Sequence, residues 1–157
     1  MTINYLEGDA TQPIADGPKI IVHVCNDIGG WGKGFVVAIS KRWKEPEAAY
    51  RSWYKEDGDQ PFELGEVQFV IAEDGLWIAN LIGQHGIRRK GSESPVRYEA
   101  IGRGLETVGE FAAEHSASVH MPRIGCGLAG GQWKEIEPLI EEALLEKKID
   151  VYVYDFA

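Results

Sequence analysis

Residues 19–25, with the sequence KIIVHVC, constrain the fold of this chain more than any other feature. The run is almost continuously apolar and rich in β-branched residues, whereas a strand with one face in water alternates apolar and polar side chains. Such a run is typical of a strand that is covered on both faces. We therefore expect a central strand of an α/β fold, with helices packed above and below its sheet.

Helical and strand-like patterns alternate along the rest of the first half. Helical spacing of apolar residues begins at Phe35 and again after Pro46, which predicts two helices on one face of the sheet. Strand-like runs at 66–71 and 76–82 are joined by a turn that contains Asp74 and Gly75, a strong hairpin signal. These two strands should be antiparallel neighbours.

The second half of the chain continues the alternation. Ser94 and Pro95 follow a polar loop and predict the N-cap and first turn of a long helix. Two more strands are expected at residues 117–124 and 151–154, and between them lies a helical region that Pro138 either kinks or restarts. One hairpin inside an otherwise alternating chain favours a mixed central sheet between helical layers, which is a three-layer α/β/α fold.

The size and charge of the chain limit what it can be. Its 157 residues, 44% of them apolar, are typical of one folded domain over residues 1–157 rather than of a disordered or fibrous protein. Sixteen basic and 25 acidic side chains give a formal net charge of −9, which disfavours bulk binding to nucleic acid or to anionic membranes. An anionic ligand would have to be held locally.

The sequence also gives expectations about location and bound metals. It has no long apolar stretch and no basic-then-apolar signal at its amino terminus, so we expect a cytoplasmic protein without membrane association. Its two cysteines, Cys25 and Cys126, are too few for a disulfide scaffold, and no Cys/His cluster has zinc-ligand spacing. We therefore expect free thiols, no metal, no cofactor and a monomer.

Two glycine-rich loops follow two of the strands that the pattern predicts to be buried. They are CNDIGGWGKG at residues 25–34 and GCGLAGG at residues 125–131, and each leads into a predicted helix. Glycines let the backbone approach a ligand closely, and the free amides at a helix start favour an anion. A diphosphate could lie between the loops, although tight turns alone would also explain the glycines. Neither loop carries a nucleotide-kinase or dehydrogenase fingerprint, which disfavours both classes.

The chain resembles the macro domain family, which binds ADP-ribose. The resemblance rests on four segments in order: GDAT at 8–11, HVCN followed by GGWGKG at 23–34, MPRIGCGL at 121–128, and YDF at 154–156. Within the family the chain is most similar to the branch of terminal ADP-ribose–glutamate hydrolases, ADP-ribose 1″-phosphate phosphatases and antitoxins that remove ADP-ribose from DNA. The resemblance implies a macro domain with ADP-ribose across the carboxyl ends of its strands.

The resemblance also implies a set of ligand contacts. Asp9 would accept a hydrogen bond from the adenine amino group, although an Asp beside a Gly also forms Asx turns. Asn26 would reach the distal ribose, and Phe156 or Tyr154 would pack by the adenine, with the sheet edge as the alternative place for Tyr154. The implied ligand-binding residues are Asp9, Ala10, Asn26, Trp31, Gly32, Lys33, Gly34, Phe35, Gln84, Gly125, Cys126, Gly127, Leu128, Ala129 and Phe156.

The catalytic residues are less directly implied. The lysine and aspartate of the glutamate-specific hydrolases fall at Gln84 and Ala129, so a covalent lysine adduct is not expected. Asn26, Asp27 and His23 are the catalytic candidates that remain. Asp27 would orient or deprotonate a water, or else cap the next helix.

Other titratable side chains near the distal ribose also have a structural interpretation. His23 would act as an acid or base, or lie hydrogen-bonded in the core. Cys126 is better explained as a small packing residue than as a nucleophile. Lys33 and His85 complete the set of polar side chains expected there.

The resulting functional hypothesis is an ADP-ribosyl hydrolase of the glycohydrolase type. It would release ADP-ribose from a modified protein or nucleic acid, and its partners would be ADP-ribose or those modified carriers. The alternatives are an ADP-ribose 1″-phosphate phosphatase and a non-catalytic reader of ADP-ribose. A basic stretch at residues 87–90 is either a solvated loop or a contact for phosphate or for the carrier.

Overall fold

The computed structural model describes residues 1–56, 58–87 and 93–156, with only the backbone of Leu128. Residues 88–90 of the basic stretch lie outside the described residues. The strands are β1 (Asn4–Glu7), β2 (Lys19–Asn26), β3 (Val67–Glu73), β4 (Leu76–Gln84), β5 (Ser118–Met121) and β6 (Val151–Asp155). The helices are α1 (Phe35–Arg42), α2 (Glu45–Lys55), α3 (Tyr98–His115) and α4 (Trp133–Ala143), with single 3₁₀ turns at Gly127–Ala129 and Leu145–Lys147.

The strands form one mixed sheet in the order β1-β6-β5-β2-β4-β3. Neighbouring strands are parallel except for β3 and β4, which are antiparallel and joined by the turn at Asp74 and Gly75. The predicted hairpin is therefore confirmed. The carboxyl ends of the five parallel strands meet at one edge of the sheet, which is where ligands bind in open α/β folds.

Side chains of β2 alternate between two apolar cores, one on each face of the sheet. Ile20 and Val22 pack in the core shared with α3 and α4, and Ile21 and Cys25 pack in the core shared with α1 and α2. Because helices cover both faces, β2 has no exposed side and its sequence can be continuously apolar. The three-layer α/β/α fold with a mixed sheet is confirmed.

The predicted start of the long helix is wrong. Helix α3 begins at Tyr98 after Arg97, and neither Ser94 nor Pro95 belongs to it. The backbone around Pro95 instead continues the sheet, since the His85 amide donates to the Pro95 carbonyl at 2.8 Å and the Arg97 amide donates to Gly83 at 2.8 Å. Pairing with the end of β4 thus outweighs the local helix-start signal.

Prolines explain two further differences from the expected elements. The strand expected at 117–124 is shorter, because β5 ends at Met121 and the next residue, Pro122, has no N–H to donate to a neighbouring strand. Pro138 lies inside α4 without ending it, so the helix runs through from Trp133 to Ala143. Among the described residues, no helix is both long and apolar enough to cross a membrane.

Candidate functional site

A cleft lies over the carboxyl ends of β2, β4 and β5, between the two glycine-rich loops. It consists of two adjoining cavities of about 360 and 330 Å³, and both are lined by Val24, Lys33, Val36 and Gln84. Larger open depressions, of about 930 and 650 Å³, lie elsewhere, beside the start of α3 and near the end of α3 at Ser116. Neither of these has a glycine-rich loop on each side, so the cleft is the candidate site.

The charge of the cleft differs from that of the chain. Among the described residues that line it, Lys33 and Arg123 are cationic and none is a carboxylate. The whole chain, by contrast, carries a formal charge of −9. A cavity that concentrates positive charge in an acidic protein favours an anionic ligand.

The first loop is held in shape by the side chain of Asn26. Its Oδ1 accepts hydrogen bonds from the amides of Ile28 and Gly30, at 3.0 and 2.9 Å, and from the Tyr50 hydroxyl at 2.9 Å. Its Nδ2 donates to the Gly30 carbonyl at 2.9 Å. One amide side chain therefore folds the loop back on itself, and Asn26 also lines the cleft.

Helix α1 starts at the cleft without a side-chain cap. Its N-cap is Gly34, at φ 85°, and a glycine has no side chain that could bond to the amides of the first turn. The positive end of the helix dipole is therefore available to an anion in the cleft. Gly34 and Phe35 both line this part of the cleft, as the sequence predicts for the ligand-binding loop.

The second loop is held by its own backbone. The Gly131 amide donates to the Gly125 carbonyl at 2.8 Å, and the Ala129 carbonyl accepts from the Val96 amide at 3.0 Å. A Cβ at position 131 would lie 2.2 Å from the Gly125 oxygen, so this turn closes only with glycine. Gly127 has φ +64°, and a Cβ there would meet nothing within 4 Å, so its backbone borders open space in the cleft.

Trp31 and His23 belong to the core beneath the first loop. The indole of Trp31 is 5% exposed and donates to Ser40 at 2.7 Å, and Trp31 is not among the described residues that line the cleft, so its contact with the ligand stays a prediction. His23 is 1% exposed, and its Nε2 lies 2.5 Å from Asn80 Oδ1. Burial lowers the pKa of His23 to about 4, so the ring is neutral at physiological pH.

Asp27 links the first loop to the segment after β4. Its Oδ2 lies 2.8 Å from His85 Nδ1, and its Oδ1 accepts from the Gly86 amide at 2.7 Å. Asp27 does not cap α1, since Gly34 holds that position, and it is not among the described residues that line the cleft. Its role as a catalytic base stays a prediction.

Cys126 is a partly buried thiol at the start of the second loop. Burial raises its pKa, and the nearby charge of Arg123 only partly opposes that rise. A thiol with a raised pKa is a poor nucleophile, which supports the packing interpretation. Over the described residues, no three His, Cys, Asp or Glu side chains converge as a metal ion would require.

The site can now be compared with proteins of known structure. A solved structure of a macrodomain protein from Streptomyces coelicolor matches the chain with a TM-score of 0.87 and 55% sequence identity, and the match covers 99% of each chain. The chain belongs to the macro domain family. No family model matches it.

This macro domain matches nearly the whole length of some curated relatives but only a small part of others. The mouse chromodomain-helicase-DNA-binding protein 1-like is 32% identical over 99% of this chain, but the chain covers only 18% of that protein. The human ADP-ribose glycohydrolase OARD1 is 29% identical, over 97% of this chain and 90% of the relative. An ADP-ribose 1″-phosphate phosphatase from Lodderomyces elongisporus is 24% identical, over 99% of this chain and 100% of the relative.

The residues expected at adenine lie beside the cleft, where β1 and β6 end. The Gly8 amide donates to the Asp155 carbonyl at 2.9 Å, which brings the residues that follow β1, Asp9 and Ala10, next to Phe156. The ring of Phe156 is 81% exposed and free to stack on a planar ligand. Tyr154 is buried, so of the two aromatic residues predicted for adenine only Phe156 is accessible.

Asp9 also forms the Asx turn that was the alternative to adenine recognition. Its Oδ1 accepts from the Thr11 amide at 2.8 Å and from the Thr11 hydroxyl at 2.6 Å. Burial raises the pKa of Asp9, but these hydrogen bonds and the charge of Arg42 outweigh it and lower the pKa overall. Asp9 is thus an ionised acceptor whose contact with adenine stays a prediction.

The two positions at which the resemblance implies a catalytic lysine and aspartate in glutamate-specific members hold uncharged side chains in this macro domain, Gln84 and Ala129, and both line the cleft. Ala129 is buried, and Gln84 donates its side-chain amide to the Gly86 carbonyl at 2.9 Å while lining the cleft. Of the other predicted contacts, Gly32, Lys33, Gly125, Cys126 and Gly127 line the cleft, and Leu128 is described only by its backbone in the 3₁₀ turn.

Sequence reasoning missed Arg123 as a residue of the site. It lines the cleft beside Gly125, and its only signal in the sequence is its position two residues before the second glycine-rich loop, in MPRIGCGL.

Proposed function

We propose that this macro domain binds ADP-ribose in the cleft and hydrolyses the bond between its distal ribose and a linked group. The observation that carries the proposal is the cleft itself, which lies between two glycine-rich loops and has two cations and no carboxylate among its described lining residues. Backbone amides and cations of this kind bind phosphates.

The order of the strands supports one orientation of the ligand. Phe156 and Asp9 lie at the β1 and β6 end, whereas Asn26 and Gln84 lie side by side at the ends of β2 and β4. Three strand spacings separate β1 from β2, or roughly 14 Å. An extended ADP-ribose would place its adenine at the first position, its diphosphate between the loops and its distal ribose at Asn26.

The chemistry we propose is direct attack by water on the anomeric carbon of the distal ribose. The water oxygen forms the new bond and gives up one proton to the solvent, the bond from that carbon to the carrier breaks, and the carrier leaves with the electron pair. Because Gln84 and Ala129 offer neither a nucleophile nor a base, no lysine adduct forms. Since both Asp27 oxygens already accept hydrogen bonds, a phosphate oxygen of the ligand is the better-placed group to hold the water.

Two alternatives use the same cleft. A relative named ADP-ribose 1″-phosphate phosphatase covers 99% of this chain, which favours phosphate removal as the second candidate. A reader that binds without turnover is the third, favoured because neither Gln84 nor Ala129 has a side chain that could act as a nucleophile or a base. The hydrolase relative is more similar in sequence, at 29% against 24% identity.

A three-substrate assay separates these functions. The pure protein is incubated with a peptide carrying ADP-ribose on glutamate, with ADP-ribosylated DNA and with ADP-ribose 1″-phosphate. Release of a carrier supports hydrolysis, release of phosphate supports the phosphatase, and binding without any turnover supports the reader. Gly127→Val, in which a side chain fills the diphosphate position, is the inactive control.

Borohydride present during turnover tests the water mechanism. A covalent sugar adduct on an amine would be trapped, whereas direct attack by water leaves nothing to trap. A trapped adduct would contradict the mechanism proposed here.

Asp27→Asn keeps the shape of the side chain and removes its charge, so a loss of about 10²–10⁴ in rate would identify Asp27 as the base.

We also propose that the protein is a cytoplasmic monomer. Cell fractionation and the molar mass measured by light scattering test these two points.

A further inference from the structure

Arg123 is fixed in place by a carboxylate and two aromatic rings. Its Nε donates to Asp155 Oδ1 at 2.6 Å, and its Nη2 donates to Asp155 Oδ2 at 2.9 Å, which is a bidentate pair. The guanidinium carbon lies 5.1 Å from the centre of the Tyr5 ring and 5.2 Å from that of Trp133. Both distances lie within the range of cation–π attraction.

The aromatic residues that hold Arg123 are themselves held. Tyr5 and Trp133 meet edge to face, with ring centres 6.3 Å apart. The Trp133 indole donates to the Tyr5 hydroxyl at 2.9 Å, and that hydroxyl in turn donates to Glu137. Side chains from β1, α4 and β6 thus surround one guanidinium. Because the guanidinium is already held in one orientation, little conformational entropy is lost when a ligand binds.

The position of Arg123 in the sheet places it on the adenosine side of the cleft. It follows β5, whereas its partner Asp155 ends β6, and β6 lies between β5 and β1. The Asp155 carbonyl accepts from Gly8, next to Asp9, and Phe156 follows directly. Arg123 therefore lies between the residues expected at adenine and the second glycine-rich loop.

Arg123 also keeps hydrogen-bond donors for a ligand. A guanidinium has five N–H groups, and Asp155 accepts from two of them, which leaves three. The hydrogen bonds to Asp155 raise the pKa of Arg123, so the guanidinium stays charged. Its side chain is 39% exposed and lines the cleft beside Gly125.

We propose that Arg123 is a ligand-binding residue of the cleft that donates to the phosphate on the adenosine side of the diphosphate. The geometry favours a phosphate, because planar guanidinium groups with fixed orientation bind phosphate oxygens well. Lys33 lies on the other side of the cleft, at the first loop, so the two cations would flank the two phosphates. This inference rests on the proposed function.

Calorimetry with shortened ligands tests the assignment. ADP-ribose, ADP and AMP all carry the adenosine-side phosphate, so Arg123→Gln should weaken all three by the same factor, about tenfold, as expected for one charge-assisted hydrogen bond. The matched control is Arg103→Gln, which removes an exposed arginine of α3 that pairs with Glu66 outside the cleft. The control should bind all three ligands like the wild type.

Salt separates a contact with phosphate from a purely structural role. Affinity for ADP should fall with ionic strength in the wild type and fall less steeply in Arg123→Gln, because a screened attraction has been removed. A residue that only supports the loop would leave the slope unchanged. If Arg123→Gln does not fold, Arg123→Lys supplies the test, since it keeps the charge but not the fixed fork, and an intermediate loss of ADP affinity is expected.

Three results would overturn the assignment while the wild type still binds ADP-ribose. They are wild-type affinity in Arg123→Gln, weaker binding of ADP-ribose with unchanged binding of AMP, and wild-type affinity in Arg123→Lys when the glutamine variant does not fold. Failure of the wild type to bind ADP-ribose at all would instead overturn the proposed function. The two failures are thus distinguishable.

Discussion

The two glycine-rich loops border the same cleft but are held in shape by different means. In the first loop, one side chain makes the hydrogen bonds that hold the shape, because Asn26 accepts from Ile28 and Gly30 and donates back to Gly30. In the second, backbone groups bond to each other between Gly125 and Gly131, and no side chain is needed at the turn itself. The first loop should therefore be sensitive to the loss of a side chain, and the second to the gain of one.

The largest effect is expected from adding a side chain to the second loop. Gly127→Val places a branched side chain in the open space of the cleft, so we expect ADP-ribose affinity to fall more than about 100-fold, measured by calorimetry. The positive φ of +64° will also cost some stability.

The matched control for that substitution is Gly17→Val. Gly17 has φ +78° and, like Gly127, nothing within 4 Å of the Cβ position, but it lies in the turn before β2 and away from the cleft. The melting temperature should fall by a similar amount in both variants, and only Gly127→Val should lose binding of ADP-ribose. Wild-type affinity in a folded Gly127→Val protein would show that the second loop does not contact the ligand.

The next effect comes from removing the side chain that holds the first loop. Asn26→Ala leaves the amides of Ile28 and Gly30 without their acceptor, so the free energy of unfolding should fall by about 1–3 kcal/mol in urea titrations, with weaker ligand binding. Asn26→Asp keeps the acceptor and adds a negative charge beside the phosphates. Because it loses the donor to the Gly30 carbonyl, it should be less stable than the wild type but more stable than Asn26→Ala, and it should bind ADP-ribose poorly. An Ala variant as stable as the wild type would contradict this account of the loop.

A smaller effect is expected from the cation of the first loop. Lys33 lines both halves of the cleft, so Lys33→Met should weaken ADP-ribose binding about fivefold at low salt and less at high salt. Lys41→Met removes an exposed lysine from the last turn of α1, the helix that follows the first loop, and should leave the affinity unchanged. Equal losses in the two variants would indicate a general effect of net charge rather than a contact.

The final prediction concerns stability rather than binding, and it rests on two buried histidines, His23 and His120. Burial lowers the pKa of His23 and that of His120 to about 4, compared with about 6.5 in the unfolded chain. Because the unfolded chain takes up protons first, the free energy of unfolding should fall as the pH falls from about 6.5 to 4. Urea titrations at neutral pH and at pH about 5 should show a weaker pH dependence for His23→Gln than for the wild type, and an unchanged dependence would contradict the assignment of His23 as a neutral core residue.

Much of the fold could be predicted from the sequence because the signals are local. The apolar run of β2 and the Asp-Gly turn between β3 and β4 each specify their own structure within a few residues. The start of α3 could not be predicted in this way. Ser94 and Pro95 carry a helix signal, but hydrogen bonds to the distant end of β4 override it.

The predictions for the site show the same difference between local signals and long-range packing. Glycines and the order of the motifs predict where the backbone of the cleft lies, since those features follow the chain. Whether a side chain points into the cleft depends on packing, so Trp31 is a core residue, whereas His23 is almost fully buried and still borders the cleft. Arg123 could not be predicted as a residue of the site, because its partners Tyr5, Trp133 and Asp155 come from distant parts of the chain.

The most direct test of the central claim is a calorimetric titration of the wild-type protein with ADP-ribose. A concave site with several backbone donors and two cations should bind it with micromolar affinity, about −8 kcal/mol, and Gly127→Val should abolish the heat. No heat with the wild type at millimolar ligand, together with no competition by ADP-ribose in a second binding assay, would contradict the claim that this cleft is an ADP-ribose site.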